Sequence, residues 1–176
     1  MNPPSRGSIW SIFSFAAGGA ALLMAAALLA QPGPAPQQSQ KLSASAIQLE
    51  RIAPREDLQI PEDTRVSMYE NVMLQLIKTK KFQHVYRSGD RTAANVPDLV
   101  ILHLIPEAFK KGSQKEREVT TLAGATSIKV KVEFTSRDGK VLLDKDAEGK
   151  VRFYGENLRA TYDLAKKVAA LVNESF

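Results

Sequence analysis

The chain of 176 residues contains no cysteine. Disulfides, thiolate nucleophiles and cysteine-ligated metals are excluded, and so is a lipoprotein, because acylation at the signal site needs a cysteine. There are only two histidines, His84 and His103. A zinc site would need a third ligand, for which Asp90 and Asp98 are the nearby choices, but no recognised ligand spacing is present. Both histidines read as ordinary sheet residues. No G-x-S-x-G elbow occurs, and Ser127 has no local base. No phosphate-binding loop and no glycine-rich dinucleotide fingerprint occur. Asp144 and Asp146 fall on one face of one strand, whereas a glycosidase holds its carboxylates across a cleft. These two read as solvated. The expectation is no catalytic residue, no cofactor and no metal, hence a protein that is not an enzyme.

Strong charge of one sign is also missing. The formal net charge is +5, and lysines and acids are interleaved along the chain. Without a continuous basic stripe, nucleic acid is not an expected partner.

What is present begins with an address. Residues 1–7 are polar and carry Arg6, and Ile9 to Ala30 is almost unbroken apolar sequence. A basic start, an apolar run and an abrupt polar break describe an export signal. Residues 1–30 read as a signal peptide or a signal anchor, long enough to cross a bilayer as a helix. Small residues at Ala25, Ala27 and Ala30 offer peptidase sites, and Trp10, the only tryptophan, would leave with the cleaved piece. With Arg6 kept inside, the remainder lies across the inner membrane. Its location is then periplasmic or extracytoplasmic. Residues 31–45 form a linker, because Pro32, Pro34 and Pro36 block regular structure and the glutamines and serines have nothing to bury.

Residues 46–176 suit one domain. Ala46 to Ile52 reads as a short strand. Pro61, Glu62 and Asp63 mark a helix start, and Val66, Tyr69, Val72, Met73, Leu76 and Ile77 follow at helical spacing to about Thr79. Phe82 to Arg87 is a second strand, and Arg91 to Asn95 a polar loop. Leu99 to Leu104 is apolar on both parities, as in a central strand, and Pro106 is expected to end it. Phe109 to Glu118 is expected as a charged loop, with Val119 to Leu122 starting the next strand early. Asp144 to Glu148 should extend a return strand that Gly149 interrupts, with Val151 and Phe153 expected to complete an edge. Asn157 is expected to cap a terminal helix whose apolar stripe is Leu158, Thr161, Tyr162, Ala165, Val168, Ala169 and Val172.

The clearest element is SIKVKVEFTSRDGKVLL, Ser127 to Leu143. Ile128, Val130, Val132 and Phe134 share one side, and Lys129, Lys131 and Glu133 share the other. Asp138 and Gly139 supply a turn with positive φ. The element order predicts an α+β fold: a two-layer sandwich with an about five-stranded mixed or antiparallel sheet. Two helices cover one face, and an N-terminal hydrophobic helix precedes it.

The runs PREDLQIPEDTRVSMYENVMLQLIKTKKFQHVYRSGD, PDLVILHL, VTTLAGATSIKVKVEFTSRDGKVLL and ATYDLAKKVAALV resemble a family of uncharacterised bacterial envelope proteins, a domain of unknown function carried behind signal peptides or lipid anchors. The layering is similar to that of TolB N-terminal type domains, which implies docking on protein partners. The resemblance carries no functional residue with it.

Lys129, Lys131 and Glu133 remain as a partner-binding candidate on the open sheet face. Lys140 and Lys145 could join them across the turn, and Lys110, Lys111 and Lys115 could join from the charged loop. The partner expected of such a platform is acidic. The functional expectation is a non-enzymatic exported or membrane-anchored envelope domain that binds a protein. The alternative is a periplasmic module for a small hydrophobic ligand.

Overall fold

The computed structural model describes residues 41–53, 55–120, 124–151 and 156–176. The expected apolar helix at 9–30, the proline-rich stretch to residue 40, Leu122 and Phe153 lie outside these. Among the described residues no helix is long and apolar enough to cross a membrane.

The fold is mixed α+β. Five strands are β1 (Ala46–Leu49), β2 (His84–Arg87), β3 (Leu99–Lys110), β4 (Thr126–Ser136) and β5 (Val141–Val151). They form one sheet in the order β2-β1-β3-β4-β5. β1 is parallel to both its neighbours, and β3, β4 and β5 are antiparallel in series. The helices are α1 (Glu62–Thr79), α2 (Gln114–Val119) and α3 (Arg159–Ser175), with a 3-10 turn at Arg91–Asn95.

The alternation in β4 decides the layering. Ile128, Val130, Val132 and Phe134 are fully buried. They share one core with Met68, Val72 and Leu76 of α1 and with Leu164, Val168 and Val172 of α3. Each such side chain contributes roughly 1.5–3 kcal/mol on leaving water. The two long helices lie side by side, with the Ser67 hydroxyl 2.9 Å from that of Thr161 and Asn71 Nδ2 donating to Thr161 Oγ1 at 2.8 Å. The buried members of this core run from Ile47 to Val172, and residues 38–176 form one compact unit. The domain therefore holds its own core without the segment before it. Leu42 is already tied to it, its N–H donating to Ser175 O at 2.7 Å.

Several elements differ from the sequence reading. Pro106 does not end β3. Pairing with β1 stops at Leu102, so the far half of β3 has a free side, where a missing N–H breaks no ladder bond. A register shift between Pro106 and Ala108 absorbs the irregularity. Gly149 does not interrupt β5 but pairs with Ile128. A Cβ there would collide with Ala160 O and come within 2.6 Å of Leu164 Cβ. The glycine lets the first turns of α3 lie directly on the strand. The expected charged loop contains α2, and β4 starts only at Thr126. Arg91–Asn95 coils onto the other sheet face, where Ala93 packs with Ala46 and Leu99. Arg137 fixes it by donating to the carbonyls of Ala93 and Val96 at 2.8 and 2.7 Å.

On α1 the buried set is Thr64, Met68, Val72, Met73 and Leu76, so Val66 and Ile77 belong to the exposed face rather than to the core. Tyr162 of α3 is likewise exposed. Asn157 does not cap α3, since the residue before the helix is Leu158 and no side chain caps it.

Candidate functional site

The face opposite the long helices carries the candidate residues. Odd positions of β4 point there, and in register they lie between odd positions of β3 and even positions of β5. Lys129 lies opposite Glu148, Lys131 between Ile105 and Asp146, and Glu133 between His103 and Asp144. Thus the three residues share one face, and none is buried.

Neither lysine stands alone. Lys129 Nζ lies 2.8 Å from Glu107 Oε2 and 3.0 Å from Asp146 Oδ2. Lys131 Nζ lies 3.0 Å from Asp144 Oδ2. Hydrogen bonds to Glu107 and then Asp146 hold the Lys129 ammonium above its ordinary pKa, and the bond to Asp144 does so for Lys131. Lys150 pairs with Glu148 on the same face at 2.5 Å. Across β3, β4 and β5 the face sets Lys110, Lys129, Lys131 and Lys150 against Glu107, Glu133, Asp144, Asp146 and Glu148. Lys129, Lys131 and Lys150 are paired with carboxylates, and the two signs are nearly balanced. The pairing occupies Lys129 and Lys131, the two lysines on which the expected platform was centred.

Asp144 and Asp146 are therefore paired rather than merely solvated. Glu107 was hidden in the sequence because it lies beyond Pro106, where the strand was expected to have stopped. Lys145 does not join the set. It pairs with Val132 in register, which puts it on the helix-bearing side, and Lys140 lies in the turn. Lys110, in register with Ser127, borders this face, while Lys111 and Lys115 are exposed beyond the strand, where α2 is anchored rather than laid across the lysines.

That anchoring uses a polar cluster that the sequence did not reveal. Arg117 of α2 is 2% exposed. Its Nη2 donates to Asn157 Oδ1 at 3.0 Å, and Thr126 Oγ1 donates to the same oxygen at 2.8 Å. Asn157 Nδ2 in turn donates to Gly112 O at 3.3 Å. One asparagine thus ties the end of β3, α2, the start of β4 and the approach to α3.

The histidines are not brought together. His84 stacks on Tyr86 in β2 with ring centroids 5.8 Å apart, while His103 Nε2 lies 3.0 Å from Thr135 Oγ1. β1 runs between their strands. Among the described residues no three His, Asp or Glu side chains are grouped to hold a metal ion.

In the middle of the open face, His103 and Ile105 of β3 sit beside the charge ladder, with Ile105 37% exposed. An isoleucine edged by pre-paired charges offers a partner apolar area to bury while the ionic groups already hold fixed geometry.

No protein-family model and no curated protein matches the chain. Solved structures do. A dodecameric variant of PelC from Paraburkholderia phytofirmans superposes with a TM-score of 0.56 at 13% identity, covering 73% of this chain and 88% of that one. The PelC dodecamer from the same organism in a second crystal form gives 0.55 at 14% identity, covering 74% and 90%. The likeness is one of fold. At this identity it assigns no residue a role.

Proposed function

We propose that this chain is a non-enzymatic domain of the bacterial cell envelope, exported or held in the inner membrane through residues 9–30, which binds a protein partner on the open face of β3, β4 and β5. The observation that carries the reading is the uncovered face itself. Ile105 lies in register with Lys131, and the carboxylates of Glu107, Asp144 and Asp146 reach across Lys129 and Lys131. The export-type N-terminus and the resemblance to envelope domains support the location. The mixed ladder favours a partner that presents complementary charges of both signs, because like charge opposed across an interface is costly.

The test is site-specific photo-crosslinking in cells, with the reactive residue at position 105 or 131 and a control at position 78 on α1. Capture of one protein from 105 and 131 but not from 78 supports the reading. PelC forms a dodecamer, so capture of a second copy of this chain alone is a distinct result, and it would replace the heterologous partner with self-association. Equal capture from all three positions, or from none, would sink the proposal.

A further inference from the structure

A second surface lies at the opposite layer, where β1, α1 and β2 form a parallel β-α-β unit. The carboxyl ends of β1 and β2 and the first turns of α1 enclose an open cleft of about 490 Å³, lined by Arg51, Ile52, Arg65, Val66, Tyr69 and Arg87, with Glu62, Glu70 and Ser88 completing it. Ligands of open α/β sheets bind outside the carboxyl ends of parallel strands, where helix N-termini also converge. The volume is within the range of small-molecule sites.

The cleft is stiff on one wall. Arg87 forks onto Glu70 with bonds of 2.6 and 2.7 Å and lies over the Tyr69 ring, 5.7 Å from its centroid. The Tyr69 hydroxyl donates to Leu49 O at 3.2 Å and accepts from Ser88 N at 3.0 Å, stapling the ends of both strands. Ser88 Oγ is held by Glu50 behind it, at 2.8 Å. The other wall is different. Arg65 Nε is buried yet meets no hydrogen-bond acceptor, and neither Arg51 nor Arg65 forms an ion pair among the described residues. A buried donor without an acceptor is costly, and such a group in a folded protein calls for an explanation.

We infer that this cleft binds a ligand carrying a single carboxylate and a small apolar body. Arg51 and Arg65 take the carboxylate, since a guanidinium matches its two oxygens in a planar fork. Ile52, Val66 and the Tyr69 ring take the apolar part. With Glu70 already neutralised by Arg87, two guanidinium groups face one remaining lining carboxylate, Glu62, and Glu50 stands behind Ser88. The balance suits a monoanion and disfavours a dianion. This inference is independent of the docking face, which lies on the other side of the sheet.

The test uses residues 38–176 labelled with nitrogen-15, titrated with phenylacetate, octanoate, methyl phenylacetate and inorganic phosphate. Saturable amide shifts confined to residues 51–52, 62–70 and 87–88 are expected with the two carboxylates. At least tenfold weaker response is expected with the ester and with phosphate. Arg65→Gln combined with Arg51→Gln should weaken carboxylate binding at least tenfold while leaving the remaining spectrum in place. Preference for octanoate over phenylacetate would point to an acyl chain as the natural body, and the reverse to an aromatic one. Equal binding of ester and acid, shifts scattered over the surface, or unchanged affinity in the double variant with its spectrum intact would overturn the assignment. If the double variant loses its native spectrum, Arg51→Gln alone, at an exposed position, takes its place under the same criterion.

Discussion

Asp163 of α3 reaches the outer strand of the sheet and accepts the main-chain N–H of Lys150 at Oδ2, 2.9 Å away. Four residues on, Lys167 Nζ donates to Glu148 O and lies 3.1 Å from Asp163. A helix on one face therefore satisfies backbone groups on the free edge of β5. Unpaired edge groups are a template for another strand, and proteins blunt them. Asp163→Ala with Lys167→Ala should leave the core intact but expose that edge. Sedimentation at rising concentration should then show self-association absent from the parent. A double variant that stays in the same state as the parent at every concentration would refute the role.

Gly149→Ala tests the close approach of α3. The added methyl would come within 2.6 Å of Leu164 Cβ and 2.7 Å of Leu164 N, and backbone cannot yield as a side-chain tip can. Overpacking of this kind costs about 1–3 kcal/mol. Urea unfolding should show a lowered midpoint with an unchanged slope. A loss under about 0.5 kcal/mol would mean that the helix shifts freely and the glycine is incidental.

Asn157→Ala removes the oxygen that accepts from both Arg117 and Thr126. A buried donor that loses its acceptor costs about 1–3 kcal/mol. The effect should appear locally first, as faster hydrogen exchange at the start of β4 and in α2 than in β3. Uniform acceleration across the sheet would instead mean a global loss and no special clamp.

Lys80 sits at the end of α1 with φ 53°, and its N–H donates to Ile77 O at 3.3 Å. That conformation costs a side-chain-bearing residue roughly 1–2 kcal/mol and is the usual place of glycine after a helix. Lys80→Gly also adds unfolded-state entropy, worth about 0.5–1 kcal/mol against it. The expected net is a gain of about 0.5–1 kcal/mol, read as a higher urea midpoint. A decrease would contradict the strain argument.

Local patterns carried much of this architecture. The strict alternation of Ile128 to Phe134 named the buried face of β4, and α1 has the limits read from Pro61, its first acidic turn and its terminal lysines. Asp138 and Gly139 make the expected turn, with Gly139 at φ 82°. What failed depended on partners distant in sequence. Pro106 looked like a stop, yet the strand tolerates it because the strand beside it ends earlier, a fact visible only once β1 is placed. Gly149 looked like a break because the helix it admits comes later in the chain. Val66 and Ile77 matched a helical stripe, but the period of α1 allows two neighbouring stripes and only packing against α3 selects one. The pairing of Lys129 was illegible for the same reason, since Glu107 and Asp146 meet it from two different strands.

Acid should weaken the domain through its paired carboxyls. The Arg87 fork, first by hydrogen bonding and then by charge, holds the Glu70 carboxyl below its ordinary 4.5. Asp57 beside Arg55, Asp90 under Thr92 and Asp138 beside Ser136 are shifted in the same direction. A carboxyl whose pKa is lower in the folded state contributes stability that is fully present above its unfolded value. That contribution is lost as the pH falls through its folded value. The shifts of Lys129 and Lys131 run upward, so their contribution persists through neutrality and fades only in strong base. Stability should be flat from about pH 5 to 9 and fall below about pH 4.5. Glu70→Gln should cost no more than about 1 kcal/mol at neutral pH, because the pair is half exposed. It should also make the acid limb shallower. Thermal unfolding followed from pH 3 to 7 reads both effects, and an acid limb of equal steepness in the variant would remove Glu70 from the account.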